Sequence, residues 1–251
     1  MRKVFIAVGV VVVVLIGGFV ALYLAFFNDD SPPPLTLSTG TTVAGAATTG
    51  ASTDATDATI APATTAAPVS PDSLAGTWTA AEGSIAGYRV REKLAQLPAK
   101  SDAVGRTQDV NGSVTIQGTG DAFTVTAADL TVDVTTLVSD SDRRDGQIKR
   151  RGLETNTYPT ATFKLTQPVA IPAEAVAGTA VTVQATGDMT IHGVTKSVTI
   201  PLQTQLNGSK IELVGSLTFP MSDFGIDPPT IAGIVDVESD ATLEFQLFLS
   251  K

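Results

Sequence analysis

Apolar and polar residues alternate with a period of two through most of the chain after residue 74, which is the pattern of β-strands with one buried face. Between 123 and 127 the apolar residues occupy odd positions, and from Leu130 they occupy even positions. The phase changes at Ala128-Asp129. A phase change inside a long strand predicts a β-bulge, and bulges bend strands as barrel closure requires.

The same alternation predicts further strands over 181–191, 198–202, 211–219 and 243–249. Asn207-Gly208 stands between two of them and predicts a tight hairpin turn. Gly118–Asp121 and His192-Gly193 predict two more turns. Long strands in hairpin order favour an up-and-down barrel over a two-sheet sandwich, although the alternation alone is compatible with both.

One segment breaks the alternation. Residues 141–152 begin with a serine, carry acids in the first turn and bases in the last turn, and end in a glycine. These are helix start and stop signals, and the charges complement the helix dipole. They predict one short helix between two strands.

The N-terminal part of the chain has a different pattern. Val4–Phe27 is a run of 24 residues without a charge, preceded by Arg2-Lys3 and followed by Asp29-Asp30. As a helix it would reach roughly 36 Å, enough to cross a membrane. A cleaved signal peptide is the alternative, but its apolar region is shorter and ends in small residues. We therefore predict an uncleaved transmembrane helix in residues 1–27, with the N-terminus cytoplasmic and the remainder extracytoplasmic.

Residues 28–73 are mostly Thr, Ala, Ser, Gly and Pro, without one aromatic or basic residue. Such a composition buries too little apolar surface to offset its ordering entropy, so a disordered linker is predicted. Its root-mean-square span as a coil is about 40 Å. Pro32-Pro33-Pro34 favours polyproline II geometry near the membrane.

Composition and charge then exclude several classes of function. The sequence has no cysteine, which excludes disulfides, thiolate metal sites, a cysteine nucleophile and a lipid-bearing N-terminal cysteine. The predicted domain, 74–251, carries 14 basic and 20 acidic residues, a net charge of −6. A general nucleic-acid binder normally shows the opposite sign.

Several motifs, in order, resemble the YceI-like family. Thr135–Leu137, Arg144-Asp145 and Tyr158–Phe163 resemble its serine- or threonine-rich strand end, its Arg-Asp helix and its Pro-x-x-x-Phe strand start. Gly187–Lys196 is similar to its Gly-x-Leu-Thr-Ile-x-Gly-Val-Thr-Lys segment. Trp78, Asp223–Ile226 and Val235–Val237 resemble its opening tryptophan, its Asp-Phe-Gly element and its last strand.

The resemblance implies an all-β fold: an extended, antiparallel, lipocalin-like β-barrel with one short helix, whose interior holds a polyisoprenoid or a similar lipid. The sequence departs from the family pattern in two places. Arg144–Ile148 stands where the family often has Arg-Asp-x-His-Leu, and the polar segment Leu97–Asp109 is expected to interrupt the first strand.

A long lipid tail offers no charge or hydrogen bond, so its site must be a dry, apolar channel. The strand faces that point inward supply candidate lining residues, for each of which ordinary core packing is the alternative. The candidates are Phe123, Val125, Val132, Phe163, Met189, Ile191, Phe219 and Phe245.

The helix segment carries the densest group of basic residues, including Arg143, Arg144 and Arg150. They either complement the helix dipole on a solvated face or contact a lipid phosphate or an anionic membrane. His192 is the only histidine in the chain, and we interpret it as a turn residue, since a catalytic or metal-binding histidine needs partners.

The sequence therefore predicts a membrane-anchored, extracytoplasmic lipid-binding protein without a metal or other cofactor, whose partners are a long-chain isoprenoid lipid and the membrane. The alternative is an envelope adhesion or scaffold domain with a filled barrel. An enzyme is not expected, because no nucleophile, metal cluster or acid–base pair is arranged for catalysis.

Overall fold

The computed structural model describes residues 31–38, 74–94, 100–120, 122–228 and 235–251. The predicted transmembrane helix of residues 1–27 and most of the predicted linker lie outside the described residues. Within these ranges, no helix has the length and apolar character needed to span a membrane.

The described residues form one antiparallel sheet of eleven strands. In chain order these are β1 (Gly76–Ala80), β2 (Ile85–Leu94), β3 (Lys100–Thr107), β4 (Val110–Thr119), β5 (Ala122–Asp133), β6 (Thr160–Leu165), β7 (Val169–Ile171), β8 (Val181–Ile191), β9 (Val194–Asn207), β10 (Lys210–Pro220) and β11 (Val235–Ser250).

The sheet closes on itself. β11 pairs with β1, where Ser250 stands opposite Thr79, and with β2, where Gln246 stands opposite Ile85. In three places, two successive strands act as one interrupted strand. β1 and β2 both pair with β11, and β6 and β7 both pair with β5. β4 and β3 pair with the other edges of β1 and β2, so they also follow one line. The result is an all-β, antiparallel, eight-stranded barrel, which confirms the predicted fold class for this part of the chain.

The predicted bulge and turns are confirmed. In the β4–β5 ladder Thr115 pairs with Ala127 and Ile116 pairs with Val125, so Thr126 is the extra residue, two positions before the predicted one. The turns at Asn207-Gly208 and His192-Gly193 each join strands directly, with positive φ angles at Gly208, His192 and Gly193.

The predicted helix is also confirmed. Helix α1 spans Asp142–Gln147 and continues as a π-helical turn, Ile148–Gly152. Ser141 caps it by accepting a hydrogen bond from the Arg144 amide at 3.4 Å. A second helix of one turn, α2 (Ala173–Val176), and 3₁₀ turns at Val134–Thr136 and Met221–Phe224 were not predicted.

The polar segment Leu97–Asp109 was expected to interrupt the first strand, but its described residues Lys100–Thr107 form β3 of the sheet. Its charged side chains find partners on the outer face: Asp102 pairs with Arg89 at 3.1 Å, and Arg106 pairs with Glu244 at 2.7 Å. Ala103 is only 1% exposed. Non-local ion pairs therefore stabilise a strand whose local sequence lacks the apolar alternation.

Of the predicted disordered linker, 28–73, the structure describes residues 31–38. These residues lie against the outside of the barrel, and the Ser38 amide donates to Glu212 Oε1 at 2.7 Å. The carbonyls of Pro32 and Pro33 accept hydrogen bonds from Arg89 and Arg106 of the barrel wall.

The core is divided along the barrel. One buried cluster surrounds Trp78, whose indole nitrogen donates to the Leu74 carbonyl at 2.9 Å. Another surrounds Phe224 at the opposite end of β10 and β11. A small third cluster, which contains Ala86, Val110 and Leu247, lies between them. The ends of the barrel therefore hold the larger buried clusters.

Gly112 lies where β4 and β5 approach each other closely. It has φ +135°, and a Cβ there would lie 2.1 Å from the Asp129 carbonyl oxygen. Gly208 also has a positive φ, +58°, but has open space around it. We expect Gly112→Ala to lower the unfolding free energy by about 2 kcal/mol more than Gly208→Ala does in urea melts. Equal losses would contradict the close approach of the two strands at Gly112.

Candidate functional site

The barrel interior contains an elongated cavity of about 180 Å³ that reaches from Leu74 at one end to Ile191 toward the other. Apart from Thr162 and Thr204, its lining side chains are apolar. Val132, Phe163 and Phe245 point into the barrel and yet are only half-buried. Interior side chains of this kind are ordinarily fully enclosed by neighbours. Their partial exposure shows that they border empty space.

A second cavity, of about 130 Å³, lies on the α1 side of the first. Its walls come from β2, β10, β11 and the π-helical turn, and include Val90, Phe219, Val237 and Ile148. The two cavities share the lining residues Ala86, Val132, Ala161, Ile191 and Leu243. They therefore form two adjoining compartments of one apolar interior, separated only by these side chains.

The structure brings most of the predicted lining residues to these compartments. Val125, Val132, Phe163, Met189, Ile191 and Phe245 line the larger cavity, and Val132, Ile191 and Phe219 line the smaller one. Phe123 lines neither of them. It is 2% exposed and packs within the buried cluster around Trp78.

Gly187 creates the space for Phe163. A Cβ at this position would lie 2.5 Å from the Phe163 ring and 2.4 Å from the Lys164 carbonyl oxygen. The aromatic ring consequently lies across the glycine on β8 and forms part of the cavity wall. The glycine that opens the Gly187–Lys196 segment thus shapes the interior as well as the strand.

Helix α1 closes the end of the smaller cavity. Arg144 Nη2 lies 2.6 Å from Glu92 Oε1, and the Glu92 side chain is 8% exposed. Arg144 also pairs with Asp140. Burial disfavours the charge of Arg144, but the hydrogen bond and charge of Glu92, together with Asp140, outweigh burial and raise the pKa of Arg144.

The neighbouring Asp145 fastens the same helix to the loop before it. Its carboxylate accepts hydrogen bonds from the Ser139 amide at 3.0 Å and the Ser139 hydroxyl at 2.6 Å. The Arg144-Asp145 dipeptide therefore holds the helix on both sides. Because these charges are satisfied within the protein, the closed end offers the cavity an apolar surface.

Tyr88 separates the apolar interior from this charged end. Its ring lies against Gly105, where a Cβ would come within 2.4 Å of the ring. Its hydroxyl is buried without a hydrogen-bond partner among the described residues. Burial raises the pKa of Tyr88, and the nearby Arg144 offsets only part of that shift.

The three arginines predicted to contact a head group are placed differently. Arg143 and Arg150 are exposed on the outside of the helical segment. Arg150 folds its guanidinium back over Gly146. Arg144 faces Glu92 and is engaged in ion pairs, so its geometry is that of a structural contact.

His192 lies in the β8–β9 turn with φ 52°, as predicted. Its ring packs edge-on against Tyr158 at 4.7 Å between centroids, and its Nδ1 lies 3.3 Å from the Phe224 carbonyl oxygen. These contacts fasten the turn to the Phe224 cluster. Among the described residues, no group of three or more His, Asp or Glu side chains is arranged to hold a metal ion.

The residues that close the site, above all Tyr88 and Glu92, were not predicted from the sequence. A signal was present: in β2 the acid at 92 continues the inward phase of Tyr88 and Val90. A charge in phase with buried residues indicates a buried partner. The local sequence pattern does not identify that partner, Arg144, because it lies 52 residues away.

Such an interior has few ways to recognise a molecule. It presents apolar walls, little hydrogen-bonding capacity and an elongated shape, and these properties match an apolar chain better than a polar metabolite. The fold and the site together define a β-barrel binding protein with an apolar interior.

The family model for the YceI-like domain matches residues 79–248. This match covers more than half of the chain, and the chain belongs to the YceI-like domain family, as the sequence motifs indicated. A comparison with curated proteins gave no match.

Several solved structures are similar to this chain. A polyisoprenoid binding domain from Saccharophagus degradans has 19% identity and a TM-score of 0.52, over 69% of this chain and 97% of that domain. BcnA from Burkholderia cenocepacia has 21% identity and a TM-score of 0.48, over 65% and 95%. The YCEI protein of Campylobacter jejuni has 18% identity and a TM-score of 0.47, over 59% and 84%.

We expect charge removal at the Arg144–Glu92 pair to destabilise the protein more than charge removal at an exposed ion pair does. Glu92→Gln leaves a partly buried guanidinium without its main counter-charge, and we expect a loss of about 3 kcal/mol in unfolding free energy. The control is Lys100→Gln, which breaks the exposed Lys100–Glu238 pair. The control should leave the melting temperature unchanged, because solvent already screens that pair. Equal effects in the two variants would contradict the closing role of Arg144.

Burial of Tyr88 predicts that the unfolding free energy depends on pH in the alkaline range. Tyrosine in the unfolded chain titrates near pH 10.0, whereas the buried Tyr88 keeps its proton to higher pH. The unfolded state alone therefore loses this proton above pH 10, and the unfolding free energy falls as pH rises. We expect Tyr88→Phe to reduce that fall in urea melts between pH 8 and about 11 and to be neutral or stabilising at pH 7. Parallel pH profiles for the two proteins would refute the assignment.

Proposed function

We propose that this protein is a membrane-anchored, extracytoplasmic carrier that holds a polyisoprenoid or similar long-chain lipid in the barrel. The observation that carries the proposal is the pair of adjoining apolar cavities, which share Ile191 and Val132 in their walls. Together they extend along β10 from Ile211 to Phe219, about 26 Å at the rise of a β-strand. An elongated dry channel suits a chain-like apolar ligand.

The family supports the same ligand class. YceI-like domains share this barrel, and the Saccharophagus degradans relative is described as a polyisoprenoid binding domain. The larger cavity of the present chain is lined along its length by aliphatic and phenylalanine side chains. These gain stability from contact with a hydrocarbon and require no hydrogen bond from it.

The cavities weigh against the alternative of a scaffold domain with a filled barrel. A filled core would enclose the inward-facing Phe163 and Phe245, and both remain half-buried. An enzymatic role has no support in the described residues, where the interior lacks a paired acid and base and no metal-binding cluster is present.

The anchoring part of the proposal rests on the sequence of residues 1–30. The uncharged run Val4–Phe27 behind Arg2-Lys3 supports a single span with the barrel outside the cytoplasm. Such an anchor would keep a lipid carrier close to the membrane that supplies its ligand.

Native mass spectrometry of the full chain, extracted from its own membranes in mild detergent, tests the function directly. We expect a mass addition of one long-chain lipid that organic extraction removes and that carries an isoprenoid fragmentation pattern. A population of protein that never carries lipid would contradict the carrier function.

Ile191→Trp tests the channel, since Ile191 lines both cavities. The added ring would occupy space meant for the ligand, so lipid retention should fall at least about tenfold. The melting temperature of the lipid-free protein should change by less than about 2 °C, which corresponds to well under about 1 kcal/mol, because empty space accepts the ring.

The matched control is Ser197→Trp, which places the same side chain on the exposed face of the adjacent strand. The control should retain lipid and stability. If Ile191→Trp lost about 1–3 kcal/mol of unfolding free energy, as overpacking of a filled core does, the channel would be wrongly assigned.

Protease treatment of intact cells tests the topology. We expect release of a soluble fragment that contains the barrel, because the chain between Ser38 and Leu74 would be accessible outside the cell. Recovery of untreated protein in the medium, with an N-terminus near residue 28, would show instead that the apolar run is a cleaved signal peptide.

A further inference from the structure

The outer wall of the barrel contains carboxylates that are almost completely buried. Glu244 is 3% exposed and Glu212 is 2% exposed. In β11 the inward positions are Leu243, Phe245 and Leu247, which line the cavity, so Glu244 points outward. An outward carboxylate on a barrel ordinarily faces water. At this place the wall is covered, and the cover includes residues 31–38.

The covering segment crosses four strands in an extended form. Arg89 on β2 donates to the Pro32 carbonyl at 2.6 Å, and Arg106 on β3 donates to the Pro33 carbonyl at 2.6 Å. Further along, Gln246 on β11 donates to the Thr36 carbonyl at 3.2 Å. The segment ends at β10, where Glu212 accepts from the Ser38 amide at 2.7 Å.

The side chains that bind the segment are themselves held in place. Glu244 accepts from Arg106 at 2.7 Å and from Arg89 at 3.4 Å, while Arg89 also pairs with Asp102. Gln246 donates to Glu212 at 2.7 Å. Donors fixed by such a network lose little freedom on binding, so the surface is preorganised for a chain that offers bare carbonyls.

The segment has the complementary properties. Three successive prolines have a fixed φ and no N–H, which favours an extended chain whose carbonyls lack partners inside the segment, so binding them costs little entropy. Leu35 and Leu37 are half-buried, whereas Thr36 is exposed. One edge of the segment thus rests on the barrel, and the other faces solvent.

We propose that the outer face formed by Arg89, Arg106, Glu212, Glu244 and Gln246 is a docking site for the chain's own residues 31–38. Docking holds this wall of the barrel against the membrane surface, a consequence that rests on the anchoring proposed above. Pro32 follows Phe27, the last residue of the predicted span, by five residues, at most about 18 Å of extended chain. A free linker would span about 40 Å.

Cysteine labelling tests the docking in the full chain, which has no cysteine of its own. Leu37→Cys places the thiol on the half-buried edge, and Thr36→Cys places it on the exposed edge as the matched control. We expect maleimide to modify the Leu37→Cys variant at least about tenfold more slowly than the Thr36→Cys variant, because the half-buried thiol reacts only when the segment opens. Equal rates would overturn the docking.

A triple substitution separates docking from folding. Replacing Pro32, Pro33 and Pro34 with Gly keeps the carbonyl acceptors and removes the stiffness that favours the bound form. In the Leu37→Cys background it should accelerate labelling several-fold toward the rate of the Thr36→Cys control, without moving the melting temperature of the barrel. An unchanged rate would overturn the role of the prolines. Acceleration on simple dilution would show that a second copy supplies the segment and overturn the own-chain assignment.

The distance to the membrane is measured in proteoliposomes. A donor dye on Ser209→Cys, in the exposed β9–β10 turn, transfers energy to acceptor-labelled lipid head groups. The triple glycine substitution should lower the transfer, since the barrel then moves on the longer linker, and unchanged transfer would overturn the membrane-holding role. A chain that fails to insert into liposomes would contradict the anchoring alone, because the labelling rates test docking independently of any membrane.

Discussion

Closure of the sheet through the β1–β11 pairing is the constraint on which the interior depends. Once Thr79 and Ala80 pair with the end of β11, each strand must send alternate residues inward. An eight-stranded barrel is just wide enough to be filled by its own side chains or to hold one small ligand. Here small residues such as Ala86, Ala161 and Ala185 occupy inward positions, so the ring of apolar side chains does not meet at the centre. The cavity is therefore a consequence of side-chain volume within a fixed geometry.

The same closure gives the two ends different roles. At the Trp78 end, the buried cluster encloses Trp78 and Phe123, while other members of it, such as Leu74, line the larger cavity. At the other end, the smaller cavity extends to the π-helical turn, and Arg144 with Glu92 holds that turn in place. A buried charge at this end of the barrel would lower the unfolding free energy if it had no partner. Since both are satisfied, charge fixes the position of the helix while the surface offered to the interior stays apolar.

The sequence predicted features that depend on neighbours along the chain. The bulge, the hairpin at Asn207-Gly208 and the capped helix follow from phase and local hydrogen bonding, and each is found. Strand β3 was not predicted, because its polar residues are stabilised by partners such as Glu244, which is 138 residues away from Arg106. Phe123 and Phe163 have the same residue type and inward phase, yet only Phe163 borders the cavity. The difference arises from packing across several strands, which alternation does not encode.

The outer wall shows how the same alternation serves a second purpose. Where apolar residues must face inward, every second residue is free to carry charge, and in β11 this places Glu244 and Gln246 on one line outside. Their bonds to Arg106 and Glu212 fix the directions of the donors and acceptors that residues 31–38 use. Loss of Glu244 would thus disturb the wall without touching the row of residues that lines the cavities. The proposed ligand holding and the proposed docking are consequently separable, because they use opposite faces of the same strands.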